Sequence, residues 1–251
     1  VTHISVFVPA YNCEAWIERC LRRLAGQDHT DLDVVLVDDA SSDDTGEIMD
    51  WYAGPGGFSD WRVIHNKANQ KMPMNLAVHG RQGDYADVVF LLDGDDFLPH
   101  EHVLSIVAEY YDNNPDLWLT YGSYTREDPD YMPNPALAYP AWVIEQRNFR
   151  AYSSTALLYN HPLTFRRWLF NKVTDDELKD DEGAWFTRCY DHTLMMPMLE
   201  LAAHGHFEWL PDILYVYNEE NPTSEAGDGA RAESDRIHRQ VNARPIRLEL
   251  A

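Results

Sequence analysis

The sequence predicts an α/β fold with a mostly parallel sheet flanked by helices. Over the first hundred residues, short apolar runs alternate with amphipathic stretches, the pattern of right-handed βαβ units. Several runs are apolar at every position, as expected of strands covered on both faces. With 251 residues, 45% of them hydrophobic, the chain can bury a core of that size.

Ile4–Val8 reads as the first strand and ends at Pro9. Asn12 is placed to cap a helix carrying Trp16, Ile17, Cys20, Leu21 and Leu24 on one face. Val34–Val37 is the second strand, and Ser41–Ser42–Asp43 opens a second helix through Met49 and Trp51. Trp61–Ile64 is a third strand, Met72–His79 a helix, and Val88–Leu92 a buried strand ending at Asp93. Beyond this point the pattern loosens. Pro129–Pro140 reads as an irregular loop, Phe165–Phe170 and His192–Ala203 as helices, and Leu210–Tyr217 as a strand. The expected organisation is one domain over 1–251. A nucleotide-binding half occupies 1–115, an acceptor-side catalytic half 116–218, and a loose tail or docking arm 219–251.

Charge and cysteine usage exclude several classes. The formal net charge of −22, with only four lysines, argues against tight nonspecific binding of nucleic acid. No run of eighteen apolar residues is present, so no transmembrane helix is expected, and the first residues read as a core strand rather than a signal peptide. Cys13, Cys20 and Cys189 are too few for a disulfide framework and read as buried thiols. A reducing compartment follows, the cytoplasm, or a host's cytoplasm for a viral source.

The chemistry-bearing residues sit at strand ends. Asp38 and Asp39 follow the second strand, while Asp93, Asp95 and Asp96 follow the strand Val88–Leu92. In a parallel sheet both groups fall on the carboxyl edge, where ligands bind. Crowded carboxylates repel unless a cation lies among them, and a hard divalent ion, Mn²⁺ or Mg²⁺, bridging a diphosphate satisfies that need. Asp38 or Asp39 suits a base or ribose better than a metal. Asp43 and Asp44 read as turn residues. The glycine-rich dinucleotide fingerprint, the P-loop and the hydrolase nucleophile motif are all missing from the sequence.

Three motifs, VFVPAYN (6–12), VLVDDASSDDT (35–45) and FLLDGDDFL (90–98), in this order and spacing, resemble the family-2 glycosyltransferases of GT-A fold. Further stretches, among them TFRRWLF (164–170), MPMLELA (196–202) and LYVYNEENP (214–222), resemble a bacterial and viral branch of that family. The resemblance implies an inverting, metal-dependent transfer of a sugar from a nucleotide-sugar, a UDP-sugar by preference, to an acceptor hydroxyl. It implies that Pro9, Ala10 and Tyr11 line the base pocket and that Asp39, with Asp38 as alternative, binds base or ribose. Asp93 and Asp95 match the family's DxD motif, with Asp95 on the metal and Asp93 on ribose or metal. Asp191 occupies the place of the general base. Departures are Met74–Asn75 in place of an Arg-Asn pair, and Tyr217, Asn218 and Asn221 where many relatives carry a metal-binding histidine. The expected acceptor is a glycan or lipid-linked glycan. A viral enzyme acting on hydroxymethylated bases in DNA, with Arg231, Arg236, Arg239, Arg244 and Arg247 touching phosphates, is the second reading. A non-catalytic nucleotide-sugar-binding module and a sugar-phosphate nucleotidyltransferase are the alternatives of other classes. The histidines His161, His192, His204 and His206 read as packing or surface residues, and Trp142, Trp168 and Trp185 as core rather than a sugar platform.

Overall fold

The computed structural model describes residues 1–55, 57–58, 60–84, 87–128, 130–133, 136–156, 158–221 and 228–248. The chain runs β1 (Ile4–Ala10), α1 (Glu14–Ala25), β2 (Leu32–Asp38), α2 (Thr45–Ala53), β3 (Trp61–His65) and α3 (Lys71–Asn75), which continues into a π-turn, Leu76–Gly80. Then follow β4 (Val88–Leu91), α4 (Val103–Asn113), β5 (Leu119–Arg126), α5 (Ala141–Glu145), α6 (Phe149–Ser153), β6 (Leu163–Arg166), α7 (Arg167–Phe170), α8 (Tyr190–Leu201), β7 (Phe207–Tyr217) and α9 (Asp228–Asn242).

All seven strands form one sheet in the order β3-β2-β1-β4-β6-β5-β7. β1, β2, β3 and β4 are mutually parallel, β6 is antiparallel to both β4 and β5, and β7 is parallel to β5. The sheet is therefore continuous from the first half of the chain into the second. Successive side chains of a strand point to opposite faces, and β1 shows the consequence. Ile4, Val6 and Val8 enter one buried cluster with Ile17, Cys20 and Leu21 of α1, while Phe7 enters another with Leu194 and Met195 of α8. Both faces of the central strands are covered, which explains their unbroken apolar runs.

Several expectations are corrected. Residues Phe165–Phe170 are not one helix: the chain is β-strand through Arg166 and helical only over Arg167–Phe170. A short apolar run fits either state, and the space between β4 and β5 is filled by a strand. There Thr164 Oγ1 meets Thr120 Oγ1 at 2.6 Å and the Tyr111 hydroxyl at 2.8 Å. Asn12 does not cap α1. Its Oδ1 accepts the Ser42 N–H at 2.8 Å, and Asp43 serves both helix starts, accepting from Glu14 N–H and Thr45 N–H at 3.1 Å each. The tail docks: Ile237 and Val241 of α9 are buried in the core cluster that contains α8. Residues 222–227 and 249–251 of that tail, and Pro129, Asn134 and Pro135 of the irregular loop, lie outside the described residues. Among the described residues, no helix is long and apolar enough to cross a membrane. Cys13, Cys20 and Cys189 are buried free thiols.

Candidate active site

The parallel register sets the site. Ala10 pairs with Asp38, and Phe7 with Leu91, so Pro9–Tyr11, Asp38–Asp39 and Asp93–Asp96 emerge on one edge of the sheet. Backbone bonds hold the three loops together: Asp39 N–H donates to Ala10 O at 2.9 Å and Gly94 N–H to Pro9 O at 3.0 Å. A Cβ on Gly94 would lie 2.7 Å from the Ala10 Cβ, so glycine is required for this approach.

Asp39 is 4% exposed and accepts three hydrogen bonds: from Asn66 Nδ2 at 2.8 Å, Gln70 N–H at 2.7 Å and Lys71 N–H at 2.9 Å. Asn66 Nδ2 also donates to Oδ1 of the buried Asn75 at 2.7 Å, so Asn75 supports Asp39 through Asn66. A carboxylate offers about four acceptor sites, which leaves Asp39 capacity for one further donor such as a base N–H. Asp38 is committed to its turn, with Ser41 N–H on Oδ1 and His65 Nδ1 on Oδ2, both at 2.9 Å. The half-exposed Tyr11 ring has the Lys71 ammonium 5.7 Å from its centroid. Asn12, Ala40 and Cys189, in loops, and Lys71, the first residue of α3, adopt left-handed backbone (φ 49, 63, 50 and 67°) that non-glycine residues hold only under constraint.

The carboxylates after β4 are sorted by partners from far along the chain. Asp96 is 1% exposed and held at both oxygens: Tyr215 donates its hydroxyl to Oδ2 at 2.7 Å and Asn218 its N–H to Oδ1 at 2.7 Å. Asp93 Oδ2 accepts the Tyr190 hydroxyl at 2.7 Å, and the Asp93 N–H donates to the Tyr215 oxygen at 3.1 Å. Asp95 Oδ2 accepts from Asn221 Nδ2 at 2.8 Å. Burial pushes the Asp95 carboxyl upward in pKa. Asp96 is pushed well up by burial and then by the Asp95 and Asp93 charges. Among the described residues, no lysine or arginine forms an ion pair with Asp95 or Asp96. Hard oxygen donors crowded at one strand end fit a divalent ion.

Asp191 lies in the first turn of α8, half-buried, directly after Tyr190, whose hydroxyl reaches Asp93. Its neighbour His192 is fully buried: Nδ1 meets the Tyr159 hydroxyl at 2.5 Å and Nε2 meets Asn242 Oδ1 of α9 at 2.9 Å. His192 is thus a packing residue, and burial holds its pKa down to about 3. Sequence reasoning missed Tyr190, Tyr215, Asn66 and Lys71. Only Lys71 left a signal, as one of four lysines in an acidic chain.

Other groups fall away from this edge. His3, Asp33 and Asp87 bring ligand-type atoms within 4.8 Å of one another near the amino ends of the strands. There His3 bridges Asp31 and Asp33, and Arg167 pairs with Asp87 at 3.4 Å. Glu200 is fully buried and bidentate to Arg150, at 2.6 and 2.9 Å. Trp168 packs edge-on against Trp118, Trp185 lies under Lys179, and Trp142 abuts Tyr152. Three of the five tail arginines are engaged within the chain: Arg244 on the Glu177 and Lys179 carbonyls, Arg247 on Glu177, and Arg236 on Glu233.

A sequence model described as Glycosyl transferase family 2 matches residues 5–174. The chain is 36% identical over 228 residues to a chondroitin synthase of Escherichia coli, an alignment covering 82% of this chain and 32% of that protein. A mannosyltransferase from Pyrobaculum calidifontis, solved with GDP-Man and Mn²⁺, superposes with TM-score 0.66 at 18% identity, covering 98% of this chain and 66% of that one. Residues 1–349 of S. aureus TarS, solved with UDP-GlcNAc, superpose with TM-score 0.64 at 19% identity, covering 98% and 68%. The chain spans less than two thirds of the length of the curated relatives first compared with it.

Proposed function

The chain belongs to glycosyl transferase family 2, and from that premise we propose that it transfers a sugar from a nucleotide-sugar to an acceptor hydroxyl with inversion at the anomeric carbon. The observation that supports the proposal is that the loops carrying Tyr11, Asp39 and Asp93–Asp96 leave one sheet edge, with Tyr190, the residue before Asp191, bonded to Asp93. A mostly parallel sheet of GT-A type binds its ligand at this edge.

In this reading Pro9, Ala10 and Tyr11 hold the base, with Asp39 accepting from base or ribose and Asp38 building the turn beneath it. UDP is the preferred nucleotide; the UDP-GlcNAc complex of TarS supports that choice, and the GDP-Man complex of the mannosyltransferase keeps the base to be tested. Asp95 and Asp93 would hold Mn²⁺ or Mg²⁺, with Asn221 adjoining. When bound, the ion offsets the charge that builds on the leaving diphosphate. Asp191 accepts the acceptor's proton as its oxygen bonds to the anomeric carbon and the bond to the diphosphate breaks, the electron pair leaving with the nucleotide. A single displacement of this kind needs no protein nucleophile. The favoured acceptor is a glycan, in line with the family's polysaccharide-synthesising relatives. The DNA reading is weakened by the engagement of Arg236, Arg244 and Arg247 within the chain.

The direct test is a screen of nucleotide-sugars for hydrolysis and transfer, with Mn²⁺ or Mg²⁺ and with chelator. Metal-dependent release of a nucleoside diphosphate from one donor is expected. Release from none of them, with no nucleotide bound in calorimetry, would overturn the proposal.

A further inference from the structure

We propose that Tyr190 is a positioning residue. Its hydroxyl is the strut that fixes the spacing between the base at Asp191 and the carboxylate loop at Asp93. The inference rests on the donor and metal reading above.

Tyr190 is the first residue of α8, and its hydroxyl reaches Asp93 Oδ2 at 2.7 Å from 97 positions along the sequence. An O–H···O⁻ bond of this kind is charge-assisted and directional. It fixes one oxygen of Asp93 and, through one residue of backbone, the start of the helix that carries Asp191. The opposite side is held as firmly. His192 is clamped between the Tyr159 hydroxyl and Asn242, so Asp191 lies between two anchored neighbours. Cys189, which precedes them, takes the left-handed conformation (φ 50°), so the chain enters α8 by a turn that a cysteine adopts only when its surroundings demand it. A phenylalanine would fill the same space. The hydroxyl, aimed at a carboxylate, is what distinguishes a strut from a core ring.

Mn²⁺ binding in the presence of UDP, read by electron paramagnetic resonance of the free ion, separates the two roles. Tyr190→Phe is expected to weaken Mn²⁺·UDP binding by about 10-fold, the effect of losing a hydrogen bond to a charged group. It should also lower kcat more than it raises the donor KM, while the melting temperature stays near that of the native protein. Introducing 4-aminophenylalanine at position 190, which keeps a donor on the same ring, should restore most of both losses. If Tyr190→Phe does not fold, 4-aminophenylalanine is compared instead with 4-methylphenylalanine, with the same expectations. Unchanged binding and kcat in the variant without a donor, or a loss that the 4-amino ring does not repair, overturns the strut. Wild-type protein that binds no Mn²⁺·UDP instead overturns the donor and metal reading itself.

Discussion

Asn221 donates its side-chain amide to Oδ2 of Asp95 at 2.8 Å across 126 positions of sequence, tying the chain just beyond β7 to the carboxylates after β4. Asp95 is buried enough that its charge is disfavoured, and Asn221 is the group that partly offsets this. Replacing Asp95 by Asn should abolish Mn²⁺-dependent binding of a UDP-sugar in calorimetry. Asn221→Ala should weaken it by about 10-fold, the usual effect of removing a group that orients a ligand. Undiminished binding in Asp95→Asn would remove Asp95 from the metal assignment.

The nucleotide pocket is tested by crystallography. A crystal soaked with UDP should show the base against Pro9–Tyr11 with an N–H directed at Asp39. Asp39→Asn turns one acceptor oxygen into a donor, facing the Lys71 N–H if it replaces Oδ2, or the Gln70 N–H and Asn66 amide if it replaces Oδ1. Donor KM should rise at least about 10-fold, since an unpaired donor is left in a buried place. A base found far from Tyr11 and Asp39 would show the pocket to be elsewhere.

The general base is tested by Asp191→Asn. Donor affinity should stay within a few-fold of native, and turnover should fall by roughly 10²–10⁴. Survival of turnover, or collapse of donor binding together with it, would give Asp191 a structural or metal-linked role.

Acid sensitivity should pass through His192. Its folded pKa is held down to about 3 by burial, against about 6.5 in an unfolded chain. Below pH ~6.5 the unfolded chain binds a proton that the native imidazole refuses, so the stabilisation is complete above that pH and declines as pH falls toward ~3. The urea midpoint should therefore fall between pH 7 and pH 5, and His192→Gln should flatten that slope. An unchanged slope in the variant would exclude His192 as its source.

Glu200 should prove structural. It pairs with Arg150 inside the core and also accepts the Arg247 N–H at 2.9 Å, while Arg150 donates to Val241 O at 2.7 Å. Glu200→Ala leaves a buried guanidinium unpaired and should destabilise the protein by about 3–5 kcal/mol in urea unfolding. A loss under about 1 kcal/mol would mean that the pair adds little to the net.

The sequence by itself determined the α/β class, the order of β1 to β4 and the carboxylates at their ends. Each is a local property: an unbroken apolar run marks a strand covered on both faces, and a parallel strand ends where its ligand edge begins. Val34–Val37 before Asp38, and Val88–Leu92 before Asp93, carry that information within a few residues. Only the tertiary structure decided that β6 enters the sheet between β4 and β5, that Asp96 is sealed by Tyr215 and Asn218, and that Tyr190 reaches Asp93. These partners lie about a hundred positions apart. A tyrosine that caps a carboxylate has the same local pattern as one that fills a core. The difference is where the hydroxyl ends, and that is set by how α8 and β7 pack against the loop after β4.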